Sequence, residues 1–137
     1  MKNPIFSIAF ATLSLIPLGA SGQEHTKLHD QMEEMDGAYK AFRKETDPVK
    51  GAELAREAQG YAIQSLAEVP ELAKEIKDPA EKAKAIVTYK KMMAKLVISL
   101  CEVEEAFLAG KVGEVANIVD SLKDQKKEGH EKFVPEE

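Results

Sequence analysis

Apolar residues recur every three or four positions through most of the chain, which is the spacing of one face of an α-helix. The first such seam runs from Leu28 to Phe42 and predicts a helix from Gln23 to about Lys44. Its other members are Met32, Met35 and Tyr39. No convincing run of strand-like alternation follows, so an all-α protein is expected.

Two Asp-Pro pairs predict where the second and third helices begin. Asp47-Pro48 and Asp78-Pro79 each place a capping carboxylate before a proline, the residue favoured at the first helical position. The second helix is expected to end at Pro70, or to be followed there by a short helical turn through Ile76.

The third and fourth seams complete the helical pattern. The third is the longest and most regular, and it ends near Ala109-Gly110. It consists of two heptad rows, one of Ile86, Met93, Leu100 and Phe107 and the other of Tyr89, Leu96 and Val103. The fourth runs from Val112 to Phe133, before Pro135. Four seams with short connections predict an antiparallel up-down-up-down four-helix bundle, and the Pro and Gly breaks argue against one long coiled coil.

Residues 1–22 have the pattern of a secretory signal peptide. Lys2 precedes an apolar run of 14 residues, Ile5 to Leu18, which is too short to span a membrane comfortably. Small residues at Ala20 and Gly22 predict cleavage after Gly22, which leaves residues 23–137 as the mature bundle. A periplasmic protein with no membrane span after cleavage is therefore expected. A short anchor that stays attached is the alternative.

Length and charge narrow the classes of function. The 137 residues fit one domain, and loss of Lys2 leaves 18 basic against 24 acidic residues, a net charge of −6. No basic stripe is evident, so nucleic acid is a poor partner, whereas a basic redox partner would suit an acidic surface. Cys101 is the single cysteine, so no internal disulfide can form, and a partly buried, unreactive thiol is expected.

The motifs on which most enzymes depend are missing from the sequence. It has no glycine-rich phosphate loop, no Cys-x-x-Cys and no paired Glu-x-x-His of a di-iron bundle. The histidines are His25, His29 and His130. His25 and His29 are four residues apart and could hold a divalent metal, although a solvated helix end is the favoured interpretation.

His130 and Met32 are the residues that together point to a cofactor. His130 lies 18 residues after Val112 and 11 after Val119, so it shares a helical stripe with two core residues. Taken singly, such a histidine is usually a core residue, and a methionine on a seam is usually core filler. In an up-down-up-down bundle, however, Met32 and His130 are expected at similar depth at the same end, both facing the interior. A thioether and an imidazole so placed form an axial pair for haem iron.

The two ends of the predicted bundle resemble those of the cytochrome b562 family. The opening segment is Leu28 to Glu33, and the closing segments are Gly110 to Val115, Ser121 to Lys123 and Gly129 to Phe133. The middle of the chain matches by pattern only. The resemblance implies a soluble periplasmic four-helix bundle that carries one b-type haem, with Met32 and His130 as the axial ligands of its iron.

The resemblance also implies further contacts to the haem. Tyr89 and Met93 fall where the family places aromatic haem-contacting residues, and Met93 departs from the aromatic type. Lys126 keeps one basic residue of the kind that attends the haem edge and its propionates, whereas Val134 stands where an arginine is expected. The related cytochrome c′ bundles attach haem through Cys-x-x-Cys-His. The four residues directly before His130 are Lys126, Lys127, Glu128 and Gly129, with no cysteine among them, so any haem is held non-covalently.

Electron transfer to an unidentified redox protein partner is the predicted function, without enzymatic activity and as a monomer or weak homodimer. One alternative is a haem-free periplasmic helical bundle that binds a protein or a metal. Another is a five-coordinate haem enzyme or gas sensor, which Met32 disfavours because it would fill the sixth position. His29, three residues before Met32, is an alternative axial ligand.

Overall fold

The computed structural model describes residues 26–136, and every regular element in that range is an α-helix. The helices are α1 (Lys27–Phe42), α2 (Pro48–Leu66), the short α3 (Glu71–Lys74), α4 (Pro79–Leu108) and α5 (Val112–Phe133). The four long helices confirm the predicted all-α bundle, and α3 is the helical turn expected after Pro70. The predicted signal peptide, the expected helix start at Gln23 and the residue His25 lie outside the described residues.

Side-chain caps begin three of the long helices. The Asp47 carboxylate accepts a hydrogen bond from the Lys50 amide at 3.0 Å, and Asp78 accepts one from the Glu81 amide at 2.9 Å. Both predicted Asp-Pro starts are therefore confirmed. Helix α1 begins after Thr26, whose hydroxyl accepts from the His29 amide at 3.1 Å.

The turn between α4 and α5 depends on a glycine. Gly110 has a φ of 70°, in the left-handed region that other residues rarely adopt. Its amide donates to the Phe107 carbonyl at 2.9 Å, and the Lys111 amide donates to the Ala106 carbonyl at 2.8 Å. These bonds satisfy the last carbonyls of α4 and turn the chain back along the bundle.

Small residues on α2 let its neighbours approach closely. Four alanines of α2 are at most 1% exposed, namely Ala52, Ala55, Ala58 and Ala62. Helix α2 packs against both α1 and α4, and α5 packs against α4. Among the residues described, no helix is long and apolar enough to cross a membrane.

The two ends of the bundle are packed differently. At the end where α1 and α4 finish, Phe42 and Phe107 are fully buried. At the opposite end, Leu28, Met32 and Phe133 only partly cover the core. Helices α1 and α5 also approach each other much less closely than the other neighbouring helices do. The core is therefore fully covered at the end where α1 and α4 finish and only partly covered at the other, and α1 and α5 are the loosest pair of neighbouring helices.

The thiol of Cys101 lies on the surface, which corrects the expectation of partial burial. Its neighbour Leu100 is 2% exposed on the inner face of α4. One residue advances the helix by about 100°, and that rotation carries Cys101 from the core face onto the outer face.

Candidate functional site

Met32 projects from the face of α1 that packs on the core, and it is half-buried. Its neighbour Gln31 is buried and accepts a hydrogen bond at 3.3 Å from the Ser65 hydroxyl of α2. The Ser65 carbonyl accepts another at 2.6 Å from the Tyr89 hydroxyl of α4. Because these polar groups join three helices inside the bundle, they fix the rotation of α1 and with it the position of Met32.

Tyr89 and Met93 form an apolar wall at the level of Met32. They lie one turn apart on α4 and are 3% and 5% exposed. Phe133 of α5 meets the Tyr89 ring edge to face, with ring centroids 5.5 Å apart. Burial raises the pKa of Tyr89, with a further contribution from the Glu68 carboxylate, so the hydroxyl stays a neutral hydrogen-bond donor.

An open cleft of about 340 Å³ separates α1 from α5, with Tyr39 on one wall and His130 on the other. An ion pair crosses it, because the Lys126 ammonium donates to the Asp36 carboxylate at 2.6 Å while Lys40 lies 2.7 Å from the same carboxylate. Burial by itself raises the pKa of Asp36. The hydrogen bonds and charges of Lys126 and Lys40 outweigh that effect and lower the pKa below its ordinary value.

The ion pair shows at which level Met32 and His130 lie. Helices α1 and α5 run antiparallel, Met32 lies four residues before Asp36, and His130 lies four residues after Lys126. Four residues advance each helix by about 6 Å, and the two advances point in the same direction. Met32 and His130 therefore lie at the same level, one turn beyond the ion pair, on helices that flank the cleft.

His130 is exposed, which corrects the expectation that it faces a covered interior. Val119, three turns earlier on the same stripe, is only 4% exposed. Periodicity predicts the direction of a side chain but not what covers it. Because α1 and α5 are separated by the cleft, the stripe opens onto it at His130, and Phe133 takes the packed position against Tyr89 instead.

The sequence model of the cytochrome b562 family matches residues 27–134, which takes in all five helices. This chain belongs to the cytochrome b562 family. A comparison with curated proteins finds no match. Cytochromes b562 are haem-binding electron carriers rather than enzymes, which makes this chain a haem-binding protein of the electron-transfer type.

The donor atoms of Met32 and His130 fit the haem of a cytochrome b562, with His130 lining the cleft and Met32 level with it on α1, outside the cleft lining. A neutral thioether and an imidazole, the two donors of Met/His haem ligation, lie at one level on the two helices that flank it. The Tyr39 hydroxyl in the α1 wall is buried and has no hydrogen-bond partner among residues 26–136. Buried hydroxyls are nearly always hydrogen-bonded, so the Tyr39 hydroxyl can form a hydrogen bond with a molecule that enters the cleft.

Basic side chains surround the cleft, and of this cluster the sequence analysis named only Lys126. Five line it together with Asp36 and His130, namely Lys40, Arg43, Lys123, Lys126 and Lys127. Three come from α5, one from α1 and one, Arg43, from the C-cap of α1, so only the packing of the two helices brings all five together. The i, i+4 spacing of Asp36 and Lys40 and the spacing of the three α5 lysines before His130 were the available signals. The cleft is thus locally positive in a chain of net charge −5.

His29 lies near Met32 but on the exposed side of α1. Its Nε2 is 3.7 Å from a carboxylate oxygen of Glu33. Within residues 26–136, no group of three or more His, Cys, Asp or Glu side chains is arranged to hold a metal ion. The His25–His29 metal pair remains a sequence prediction, because His25 lies outside the described range.

Proposed function

We propose that this protein is a periplasmic electron carrier that binds one b-type haem non-covalently between α1 and α5, with Met32 and His130 as axial ligands. The observation that carries the proposal is the shared level of the two side chains on helices that flank an open cleft. When bound, the haem iron supplies a one-electron couple, whose reduction potential is raised by Met/His ligation.

The protein groups have distinct roles in this proposal. Met32 supplies the thioether sulfur, and the buried Gln31–Ser65–Tyr89 hydrogen bonds keep its helix in place. His130, which is exposed on the α5 wall of the cleft, supplies an imidazole nitrogen. Tyr89 and Met93 exclude water from the apolar side of the site.

The basic residues of the cleft attract anionic groups, whether these belong to the haem or to a partner protein. Haem propionates are carboxylates, and Lys126, one turn before His130 on α5, is the ammonium that pairs with Asp36 across the cleft. We propose that Lys126 exchanges Asp36 for a propionate when haem binds. The whole-chain charge favours a basic redox partner, but the surface around the cleft is basic. We therefore propose that the partner surface that docks over this cleft is acidic.

The test is an absorption spectrum of haem-loaded protein, oxidised and reduced, for the variants Met32→Ala, His130→Ala and His29→Ala. We expect a low-spin, six-coordinate spectrum for the reduced wild type. Met32→Ala should still bind haem, more weakly, with a five-coordinate or water-ligated iron and a lower potential. His130→Ala should lose more affinity, since a nitrogen ligand binds both oxidation states, and His29→Ala should change little.

Met35→Ala is the matched control for the loss of a thioether. Met35 lies one turn along α1, is half-buried against the same core and should leave the low-spin spectrum intact. Loss of the low-spin spectrum in His29→Ala, but not in Met32→Ala, would establish bis-histidine ligation instead. If no variant altered haem uptake, the haem-free interaction bundle would be the better account.

A further inference from the structure

The outer face of α4 carries exposed apolar residues that the fold leaves uncovered. Val87, Ile98 and Leu108 are 56%, 61% and 66% exposed, and Ala94 and Cys101 on the same face are exposed as well. These residues recur every three to seven positions and form one stripe along the helix. Helices α2 and α5 pack on the inner sides of α4 and do not cover this stripe.

The charged residues of the stripe are divided between its two halves. Lys91 lies seven residues before Ile98, and Glu105 lies seven residues after it. No ion pair within residues 26–136 involves either side chain. One end of the stripe is therefore basic and the other acidic, with no described partner for either charge.

We propose that this stripe is a contact surface for a second copy of the chain, with the two α4 helices antiparallel about a two-fold axis at Ile98. Such an axis pairs position i with j and j with i. Ile98 then meets its own copy, and Lys91 of each chain lies level with Glu105 of the other, about 10 Å from the axis. Val87 comes within about one residue rise of Leu108 of the second copy, and Ala94 does the same with Cys101.

Charge complementarity selects this occupant and this orientation. A parallel pair would place Lys91 beside Lys91 and Glu105 beside Glu105. The antiparallel pair instead places Lys91 beside Glu105 at two symmetry-related positions. A single pair of helices buries less surface than a standard interface. We therefore expect a reversible dimer that becomes populated from about 10 µM to about 1 mM, the affinity range of weak interfaces.

Sedimentation velocity over that concentration range tests the proposal. The wild type should shift from monomer to dimer, and Ile98→Asp should stay monomeric because two carboxylates would meet at the axis. Ile63→Asp is the matched control, since Ile63 is 57% exposed on α2 and should leave the dimer intact. Dimerisation that survives Ile98→Asp, or that Ile63→Asp abolishes equally, would overturn the proposed surface, as would a wild type that stays monomeric throughout.

Charge reversal tests the orientation. Lys91→Glu and Glu105→Lys should each weaken the dimer at least tenfold, and the double variant should restore it. The two Cys101 residues should be offset by about 9 Å along the helix axis, beyond the Cα separation of about 7 Å that a disulfide tolerates. A short bis-maleimide should thus link the dimer through Cys101 where mild oxidation does not. Efficient disulfide formation, or failure of the double variant to recover, would reject the axis at Ile98.

Discussion

Two glycines of α2 should respond in opposite ways to the same substitution. A Cβ added at Gly51 would lie far inside van der Waals contact with the Phe107 ring, which is fully buried. A Cβ added at Gly60 meets nothing within 4 Å. Both positions lie within the helix, so Gly→Ala gives the same intrinsic gain at each, about 1 kcal/mol.

The contact with Phe107 decides the sign at Gly51. Forcing extra volume into a packed core destabilises by about 1–3 kcal/mol, and a fully buried ring has little room to move, which favours the upper end. Subtracting the helical gain leaves a net destabilisation of about 2 kcal/mol for Gly51→Ala. For a domain of this size, we expect Tm to fall by about 8 °C for Gly51→Ala and to rise by about 4 °C for Gly60→Ala.

Urea and thermal unfolding at one fixed haem saturation would measure both changes, because bound ligand adds its own stabilisation. Phe107→Leu in the Gly51→Ala background should recover part of the loss, and a double-mutant cycle would give that coupling. Equal stabilisation by both alanines would show that Gly51 does not lie against Phe107, and the packing described for this end of the bundle would be wrong.

Three further outcomes are expected. Asp36→Asn should lower the free energy of unfolding by up to about 1 kcal/mol above about pH 4, and this deficit should vanish as pH falls through the lowered native pKa of Asp36. Urea midpoints across pH would show it, and a deficit that persisted at about pH 2 would exclude the ion pairs as its cause. Acid–butanone extraction should leave colourless protein of peptide mass, whereas a mass gain of one haem on the denatured chain would contradict non-covalent binding. Intact mass of exported protein should place its first residue at or near Gln23, and retention of Ile5 to Leu18 would refute the signal peptide.

The helices could be predicted from the sequence because the forces that define them are local. Seam spacing, the Asp-Pro pairs and Gly110 act within one or two turns, and the structure has α2, α4 and the end of α4 where those signals place them. That Met32 and His130 lie at one end of the bundle could be predicted for a similar reason. Short connections between helices of known rise leave little choice of topology.

Only the tertiary structure decided what covers each face. The exposure of His130 depends on how far α1 stands from α5, and the exposure of Cys101 depends on which sides of α4 its neighbours occupy. The basic cleft and the Gln31–Ser65–Tyr89 hydrogen bonds join residues from separate helices, so no window of the sequence contains them. Periodicity sets the direction of a side chain from its own helix, whereas burial and electrostatics are set by distances between helices, which arise only when the chain packs.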